Sequence, residues 1–267
     1  MLVAVDTGAT KTLVAIFSKD GTVISSEKFA TPKDKTDYIH QIIQTIVTLV
    51  ADQPIDAIAI ALPGRVKDNI LLSARNLGWK NFDLEKELKK TFSAPILIEN
   101  DANLAGLAES KELNESVPVC LYITISTGIG TGIITDGRID PHFTQSEGGQ
   151  AVLNYKGRMR RWERFASGKS IYKTYHTFAK NITSTLIWKR IAKNISKGLL
   201  VLTPTLRPDV IIIGGSIGTY FEHYDSYLSK ELKKYLHYVP PIVAAKRPEE
   251  AVIYGCYHYA ITHLSRH

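Results

Sequence analysis

The chain has 267 residues, 44% hydrophobic and 22% charged, as is usual for a globular protein with its own core. No apolar run approaches the ~20 residues that a membrane-spanning helix requires, which argues against a membrane protein. The net charge of +7 attracts anions such as ATP, polyphosphate or nucleic acid without selecting one, and it also serves surface solubility.

The N-terminus and the cysteines indicate the compartment. The opening sequence MLVAVDTGAT has no basic segment before its apolar residues, so it predicts a first strand and no signal peptide. Cys120 and Cys256 are too few for a thiolate zinc site. We expect two buried thiols in a cytoplasmic protein.

The first part of the chain predicts an α/β arrangement. Three strands are expected within residues 2–30, with turns near Gly8 and at Asp20-Gly21, because Asp-Gly between apolar runs signals a hairpin. Residues 36–51 place isoleucine and valine at helical spacing. The next predicted elements are a strand ending at Pro63-Gly64, a hairpin at Asp68-Asn69, a helix over 83–92 capped by Asp83, and a strand 95–100 running into a helix 101–110.

The second part repeats the layout of the first. A strand over 117–125 is followed by STGIGTGIITDGRI, again a glycine turn and a returning strand. Backbone N–H groups in such turns can hold phosphate oxygens, although each turn can also be a plain hairpin. Further elements are predicted as a mixed basic region at 154–180, helices over 182–203, 222–236 and 249–264, and a buried strand at 208–215.

Asp6 follows an apolar strand and precedes Thr10 and Lys11. A carboxylate in this place can hold Mg²⁺ through water while the other two side chains contact phosphate. It can equally satisfy a tight turn. The sequence contains no Walker A motif, which closes the phosphate-loop NTPase route.

Asn100 and Asp101 lie where a predicted buried strand meets a helix. Side chains at such junctions project into the ligand crevice of an α/β sheet. An ionised aspartate there can accept a proton from a hydroxyl group. The alternative is that Asp101 only caps the helix.

Three further features suggest ligand contacts. Glu147 in SEGGQ can bind sugar hydroxyls, but a solvated loop carboxylate is as common, and Glu163 beside Trp162 can be turned inward. Gly214 and Gly215 end a strand and let a flat group such as adenine lie against the backbone. The following sequence GGSIG does not fit the dinucleotide motif GxGxxG.

The stretch 156–173 is strongly basic. A solvated loop explains it, and an anionic partner such as a long phosphate donor or nucleic acid is the alternative. Its cations are Lys156, Arg158, Arg160, Arg161, Arg164, Lys169 and Lys173.

Eight motifs follow one another along the chain. They are DTGATK at 6–11, LPGRV at 62–66, NLGW at 76–79, ENDANLAGLAE at 99–109, STGIGTGII at 126–134, EGG at 147–149, ERFASG at 163–168 and IIIGG at 211–215. Taken together, these segments resemble the ROK family of the actin-like ATPase superfamily over nearly the whole chain. The resemblance implies an α/β, two-lobed actin-like ATPase (ribonuclease H-like) fold with ATP and sugar in the cleft. Residues 1–113 would form one lobe and 114–248 the other, with the helix at about 249–267 packing on the first.

The resemblance implies phosphorylation of a hexose or N-acetylhexosamine by ATP, usually at the C6 hydroxyl, with Asp101 as general base. Asp6 would hold Mg²⁺ through water. The other sugar-binding positions implied are Gly64, Asn76, Asn100, Glu147, Gln150 and Glu163, and the ATP-binding positions are Thr10, Lys11, Thr127, Gly128, Gly214 and Gly215.

The sequence departs from the family at its zinc loop. Gln150 stands where relatives commonly have histidine, and RMRRWE replaces their cysteine cluster. We therefore expect no zinc, and we expect Tyr155, Trp162 and Phe165 to pack this loop instead. Gln150 can hydrogen-bond a hydroxyl but cannot ionise or ligate as histidine does. Ala9, where the family usually has glycine, is a milder change.

The sequence leaves two other functions open. The zinc-free basic loop suits a glucokinase that uses polyphosphate, and Gln150 suits a catalytically silent sugar sensor. Family repressors carry a helix-turn-helix before the first hairpin, whereas this chain begins at the hairpin, so we expect no nucleic-acid binding. Homodimers are common among relatives, and the sequence does not decide the oligomeric state.

Overall fold

A computed structural model describes residues 1–265 and divides them into two compact units. One unit contains Met1–Ala108 with the described residues from Glu250 onward, and the other contains Glu109–Glu249. Each unit is built on a mixed five-stranded sheet with helices, which confirms the predicted α/β class. Within residues 1–265, none of the helices combines the length and the apolar character needed to cross a bilayer.

The first unit confirms the N-terminal strands, the hairpin at 68–69 and the strand–helix junction at 100–101. The helix predicted over 83–92 is shorter. Its elements in chain order are β1 (Leu2–Thr7), β2 (Lys11–Phe17), β3 (Val23–Ala30), α1 (Lys35–Val50), β4 (Ala57–Leu62), β5 (Arg65–Lys67), β6 (Ile70–Ala74), β7 (Trp79–Phe82), α2 (Leu84–Leu88), β8 (Ile96–Asn100) and α3 (Asp101–Lys111), the last of which ends in the second unit.

Local chemistry explains these boundaries. The Asp34 side chain accepts hydrogen bonds from two backbone N–H groups and begins α1, whose Ile42 and Ile46 are fully buried in the core. Asp68 and Asn69 both have positive φ, the conformation of a tight two-residue hairpin. The Asp83 side chain caps α2 as predicted.

The second unit begins within α3, and the final helix of the chain belongs to the first unit. The helices predicted over 182–203 and 222–236 exist with shifted or shortened bounds. The remaining elements are β9 (Val119–Ile125), β10 (Ile129–Thr135), β11 (Arg138–Ile139), β12 (Val152–Tyr155), β13 (Arg158–Arg161), α4 (Glu163–Ala166), α5 (Gly168–Tyr175), α6 (Thr185–Leu206), β14 (Val210–Gly214), α7 (Gly215–Gly218), α8 (Asp225–Leu232), β15 (Ile242–Ala244) and α9 (Ala251–Leu264).

The two large sheets have the same topology. The strand orders are β3-β2-β1-β4-β8 and β11-β10-β9-β14-β15. In both, three strands run antiparallel, and two further strands continue parallel to the first strand of the hairpin. The turn between β1 and β2 therefore corresponds to the turn between β9 and β10, which confirms the repeated layout predicted from the sequence.

Aromatic side chains pack the segment that stands in place of the family's zinc loop. Strands β12 and β13 form a separate hairpin, followed by the fully buried Trp162. The Tyr155 and Phe165 rings stack with centroids 4.3 Å apart. The indole Nε1 of Trp162 donates to the Asn194 carbonyl oxygen at 3.2 Å. The predicted packing by Tyr155, Trp162 and Phe165 is confirmed.

Candidate active site

In the first unit, three parallel strands end at the same edge of the sheet. Asp6 on β1 lies opposite Ala61 on β4, and Leu62 lies opposite Asn100 on β8. The carboxyl ends of parallel strands are where α/β proteins bind ligands. The structure thus brings the predicted residues Asp6, Asn100 and Asp101 to one edge.

Asn100 performs two structural tasks at this edge. Its Oδ1 accepts hydrogen bonds from the backbone N–H groups of Ala102 at 2.8 Å and Asn103 at 3.2 Å, as an N-cap residue does. Its Nδ2 donates a 2.8 Å hydrogen bond to the carbonyl oxygen of Gly64. Asn100 therefore caps the helix, and Asp101 Oδ1 shares the Ala102 N–H at 2.8 Å.

The two aspartates at this edge both have raised pKa values. Burial raises the pKa of Asp101 to about 6, against the opposing effect of hydrogen bonds from Ala102 and Asn100. Burial, and then the charge of Asp101, raise the pKa of Asp6 to about 7, which Lys28 partly offsets. Each aspartate is thus a better base than an exposed carboxylate.

The turn between β1 and β2 carries Thr10 and Lys11, both exposed. The Gly8 N–H donates to the Lys11 carbonyl oxygen at 2.9 Å, which closes the turn. The Thr31 hydroxyl donates to the Gly8 carbonyl oxygen at 2.8 Å and holds the turn from the neighbouring strand. The side chains of Thr10 and Lys11 remain accessible to a ligand.

Gly64 and Asn76 lie on neighbouring loops of the first unit. Gly64 has φ +113° and fits tightly against Ser73 and Ala74 on β6. Asn76 is exposed in the turn that follows β6. The Asn100 bond to Gly64 therefore joins the Gly64 loop to the residue that precedes Asp101.

In the second unit, Ser126 joins three predicted ligand segments. Its carbonyl oxygen accepts a 2.7 Å hydrogen bond from the backbone N–H of Gly168 at the start of α5. Its hydroxyl accepts a 3.0 Å hydrogen bond from the backbone N–H of Ser216, directly after Gly215. The turn at 126–128, the ERFASG segment and the 214–215 glycines are therefore held together.

Glu163 lies directly against the second turn. A methyl group placed on the α carbon of Gly128 would be 3.0 Å from Glu163 Oε2. A predicted sugar-binding carboxylate and a predicted phosphate-binding turn are thus in contact within one unit. Thr127, between Ser126 and Gly128, is exposed.

The EGGQ segment is held against β10. The Gly148 N–H donates to Thr131 Oγ1 at 3.0 Å, and the Gln150 N–H donates to the Glu147 carbonyl oxygen at 2.9 Å. Gly149 fits so closely against Ile129 that a side chain there would meet its carbonyl oxygen. Glu147 is exposed and Gln150 half-buried, so both side chains can reach a ligand.

The acidic residues and the cysteines determine which metal ions this chain could hold. Asp6 and Asp101 offer the carboxylate oxygens that Mg²⁺ prefers. Within residues 1–265, no group of three or more histidine, cysteine, aspartate or glutamate side chains is placed to hold a metal ion. Cys120 and Cys256 are both buried free thiols.

Two residues in these neighbourhoods were not predicted. Lys28 lies in the cross-strand row Asp6–Leu13–Lys28, so its side chain is on the same face as Asp6. Strand register could have revealed it, but the sequence does not state which residues pair. Ser126 opens the STGIG motif, yet its bond to Ser216 spans 90 residues and depends on the parallel pairing of β9 with β14.

Comparison with known proteins places these features in a family. The sequence model of the ROK family matches residues 2–261. N-acetylmannosamine kinase of Pasteurella multocida is 28% identical, covering 89% of this chain and 86% of its own.

Solved structures share the fold. The ROK family glucokinase of Streptomyces griseus, in complex with glucose and AMPPNP, has a TM-score of 0.81 at 20% identity and covers 98% of this chain and 99% of its own. The inorganic polyphosphate/ATP-glucomannokinase of an Arthrobacter strain has a TM-score of 0.75 at 25% identity, covering 100% and 99%. The fold is thus the predicted actin-like ATPase fold, and the chain belongs to the ROK family.

Proposed function

We propose that this chain is a sugar kinase that transfers the γ-phosphoryl group of ATP to a hydroxyl of a hexose or N-acetylhexosamine, at C6. The observation that carries this proposal is the placement of Asp101. It has a raised pKa at the strand edge that also bears the first phosphate turn, and Asn100 supplies the helix cap beside it. Asp101 Oδ1 also accepts the Ala102 N–H at 2.8 Å, and its buried carboxylate with the raised pKa is the proposed base.

The similar proteins support the substrate class. The Pasteurella multocida relative is named for N-acetylmannosamine, which is a hexosamine. The Streptomyces griseus structure contains glucose, which is a hexose, together with the ATP analogue AMPPNP. Glu147, Gln150 and Glu163 would bind sugar hydroxyls in the second unit. Gly64, Asn76 and one N–H of Asn100 would do so in the first.

The transfer needs a base and an anion site. Asp101 accepts the proton of the acceptor hydroxyl as its oxygen forms a bond to the γ-phosphorus. The bond from the γ-phosphorus to the β,γ-bridging oxygen breaks, and ADP leaves with the electron pair. In the first unit, the turn at Gly8 with Thr10 and Lys11 would contact phosphate. In the second unit, the turn at Gly128 with Thr127 would contact phosphate, and Gly214 and Gly215 would receive the adenosine.

Magnesium fits this arrangement. Mg²⁺ would be held by Asp6 through water, and when bound it would neutralise phosphate charge. The raised pKa of Asp6 reflects burial and the neighbouring Asp101 charge, a setting that favours a bound cation. We place the reaction in the cytoplasm, where ATP is available and thiols such as Cys120 and Cys256 stay reduced.

A second candidate is phosphoryl transfer from polyphosphate. Its specific support is the basic stretch 156–173, all of whose cations are exposed. The glucomannokinase with a similar fold is named for polyphosphate as well as ATP. A long anionic donor could lie along this surface.

The test is turnover across a panel of acceptors and donors. The acceptors are glucose, fructose, mannose, allose and the N-acetylhexosamines, each offered with ATP or polyphosphate and Mg²⁺. We expect sugar phosphate to form with ATP for at least one of them. Turnover with polyphosphate and none with ATP would favour the second candidate, and no product with any pair would favour a silent sugar sensor.

A further inference from the structure

The carboxylate of Glu99 lies two residues before the proposed base and has no part in the proposed transfer. Glu99 is buried, with 5% of its surface exposed, and Asn103 beside it is 1% exposed. Burying a carboxylate is costly unless hydrogen bonds compensate for the lost water. The hydrogen bonds that Glu99 accepts therefore decide what it does in this place.

Glu99 accepts hydrogen bonds from both sides of Asp101. Its Oε1 receives the backbone N–H of Asn100 at 2.6 Å and the side-chain Nδ2 of Asn103 at 3.0 Å. Asn100 is the last residue of β8, and Asn103 lies in the first turn of α3. One carboxylate oxygen thus joins the end of the strand to the start of the helix, with Asp101 between them in the chain.

Glu99 also completes the open edge of β8, which is the last strand of its sheet. Earlier on this edge, Asn69 accepts the Ile98 N–H at 2.9 Å and donates to the Ile96 carbonyl oxygen at 3.2 Å. The Asn100 N–H comes two residues after that of Ile98, so it points to the same side of the strand. The side chains of Asn69 and Glu99 therefore supply the hydrogen bonds that a further strand would make.

Loss of the Glu99 oxygen would affect the backbone that carries Asp101. The N–H of Asn100 and the amide of Asn103, both held in the protein interior, would each lose an acceptor, which disfavours the present backbone position. A displacement of about 1 Å in a reacting group can cost about 10²-fold in rate. The end of β8 therefore has to be held closely if Asp101 is to meet the acceptor hydroxyl.

We infer that Glu99, held by Asn103, is a positioning residue for Asp101, an inference that rests on the proposed function. It fixes the direction from which Asp101 approaches the acceptor hydroxyl. Burial raises the pKa of Glu99, against the opposing effect of the hydrogen bonds from Asn100 and Asn103, so the site disfavours a negative charge. What the two donors require is an acceptor oxygen, which a glutamine amide also supplies.

The experiment measures kcat for the best acceptor sugar with saturating Mg²⁺·ATP, at a temperature where thermal unfolding shows each variant to be folded. We expect Glu99→Ala to lower kcat about tenfold or more, because the base is displaced. Glu99→Gln keeps an oxygen for both donors and should stay within about threefold of wild type. Asn103→Ala removes one of the two hydrogen bonds and should lower kcat about threefold, and it decides the matter if Glu99→Ala does not fold.

Asn69→Gly is the matched control. It removes the hydrogen bonds to Ile96 and Ile98 earlier on the same edge, and glycine tolerates the φ of +60° at this position. We expect it to lose stability while its kcat stays within about twofold of wild type, since the bonds that enclose Asp101 remain.

The Asp101→Asn background distinguishes positioning from a general loss of structure. If Glu99 acts through Asp101, Glu99→Ala should lower kcat only slightly once the base is already lost, because effects of residues that act as a unit do not add. A general disturbance of the unit would lower kcat by the same factor in both backgrounds.

The outcomes separate this inference from the proposed function. An active wild type whose kcat is unchanged in Glu99→Ala and Asn103→Ala overturns the inference and leaves the proposed function standing. An equal loss in Asn69→Gly, an equal loss in the Asp101→Asn background, or a Glu99→Gln variant as impaired as the alanine variant also overturns it. A wild type that phosphorylates no acceptor overturns the proposed function, and the inference with it.

Discussion

Asn100 Nδ2 donates a 2.8 Å hydrogen bond to the carbonyl oxygen of Gly64, which joins the end of β8 to the loop after β4. The Oδ1 of the same side chain accepts two N–H groups from the first turn of α3. The residue before the proposed base is therefore a structural clamp, and it fixes the backbone from which Asp101 projects.

Substitutions at Asn100 should distinguish its role as helix cap from its hydrogen bond to Gly64. Asn100→Ala loses the cap and the Gly64 bond, and we expect the free energy of unfolding to fall by about 1–3 kcal/mol. Asn100→Ser restores a cap but cannot reach Gly64, so it should be more stable than the alanine variant. Both variants should raise the KM for sugar, because Asn100 is also a proposed sugar contact. Urea denaturation and steady-state kinetics measure both. An alanine variant as stable as wild type would rule out the clamp.

Gly64 should tolerate no side chain. Its φ of +113° and the Ser73 carbonyl oxygen, which would lie 2.2 Å from an added Cβ, both oppose Gly64→Ala. We expect this variant to lose about 3 kcal/mol or more of stability. Gly78→Ala is the control, since Gly78 also has positive φ (+75°) but nothing lies within 4 Å of the added group. Its cost should be only about 1 kcal/mol. Equal costs would show that crowding at Gly64 is unimportant.

The pH dependence should follow the proposed base. Asp101 must be deprotonated to accept a proton, and burial raises its pKa to about 6. With saturating Mg²⁺·ATP, kcat/KM for the sugar should therefore rise with pH through about 6 and level off above it. At pH 5 it should be about tenfold below the plateau. A profile that stays flat down to pH 5 would show that the group controlling the rate has an ordinary carboxylate pKa.

Ser126 should influence nucleotide binding more than sugar binding. Ser126→Ala leaves the Ser216 N–H without its hydroxyl acceptor and loosens the link between the turn and the 214–215 glycines. We expect the KM for ATP to rise about threefold to tenfold, equivalent to about 1 kcal/mol. Ser126→Thr keeps the hydroxyl and should remain near wild type. An unchanged KM for ATP in the alanine variant would remove Ser126 from this role.

Much of the architecture could be predicted because it depends on local patterns. Apolar runs on either side of Asp20-Gly21 predicted the N-terminal hairpin, and the change from strand to helix at Asn100-Asp101 marked the candidate base. The residues left alternatives open for each ligand role, and the family resemblance selected among them. These roles and the predicted lobe boundaries stay predictions.

What could not be predicted depends on long-range contacts. The division of the first N–H groups of α3 between Asn100 and Asp101 is decided by side-chain geometry, since either residue type can cap a helix. The contact of Glu163 with Gly128 requires the α4 segment to pack on a turn 35 positions earlier in the chain. The ends of some helices also differ from the prediction. Helix α6 continues through Pro204 in its last turn, although a proline ordinarily predicts the end of a helix.

The most direct test of the account is Asp101→Asn, which keeps the shape of the side chain and removes its basicity. Turnover of the best acceptor with Mg²⁺·ATP and the dissociation constant of that sugar should be measured together. We predict that kcat falls by about 10²-fold or more while sugar affinity changes little, because only proton acceptance is lost. Near-normal turnover in this variant would contradict the assignment of Asp101 as the general base.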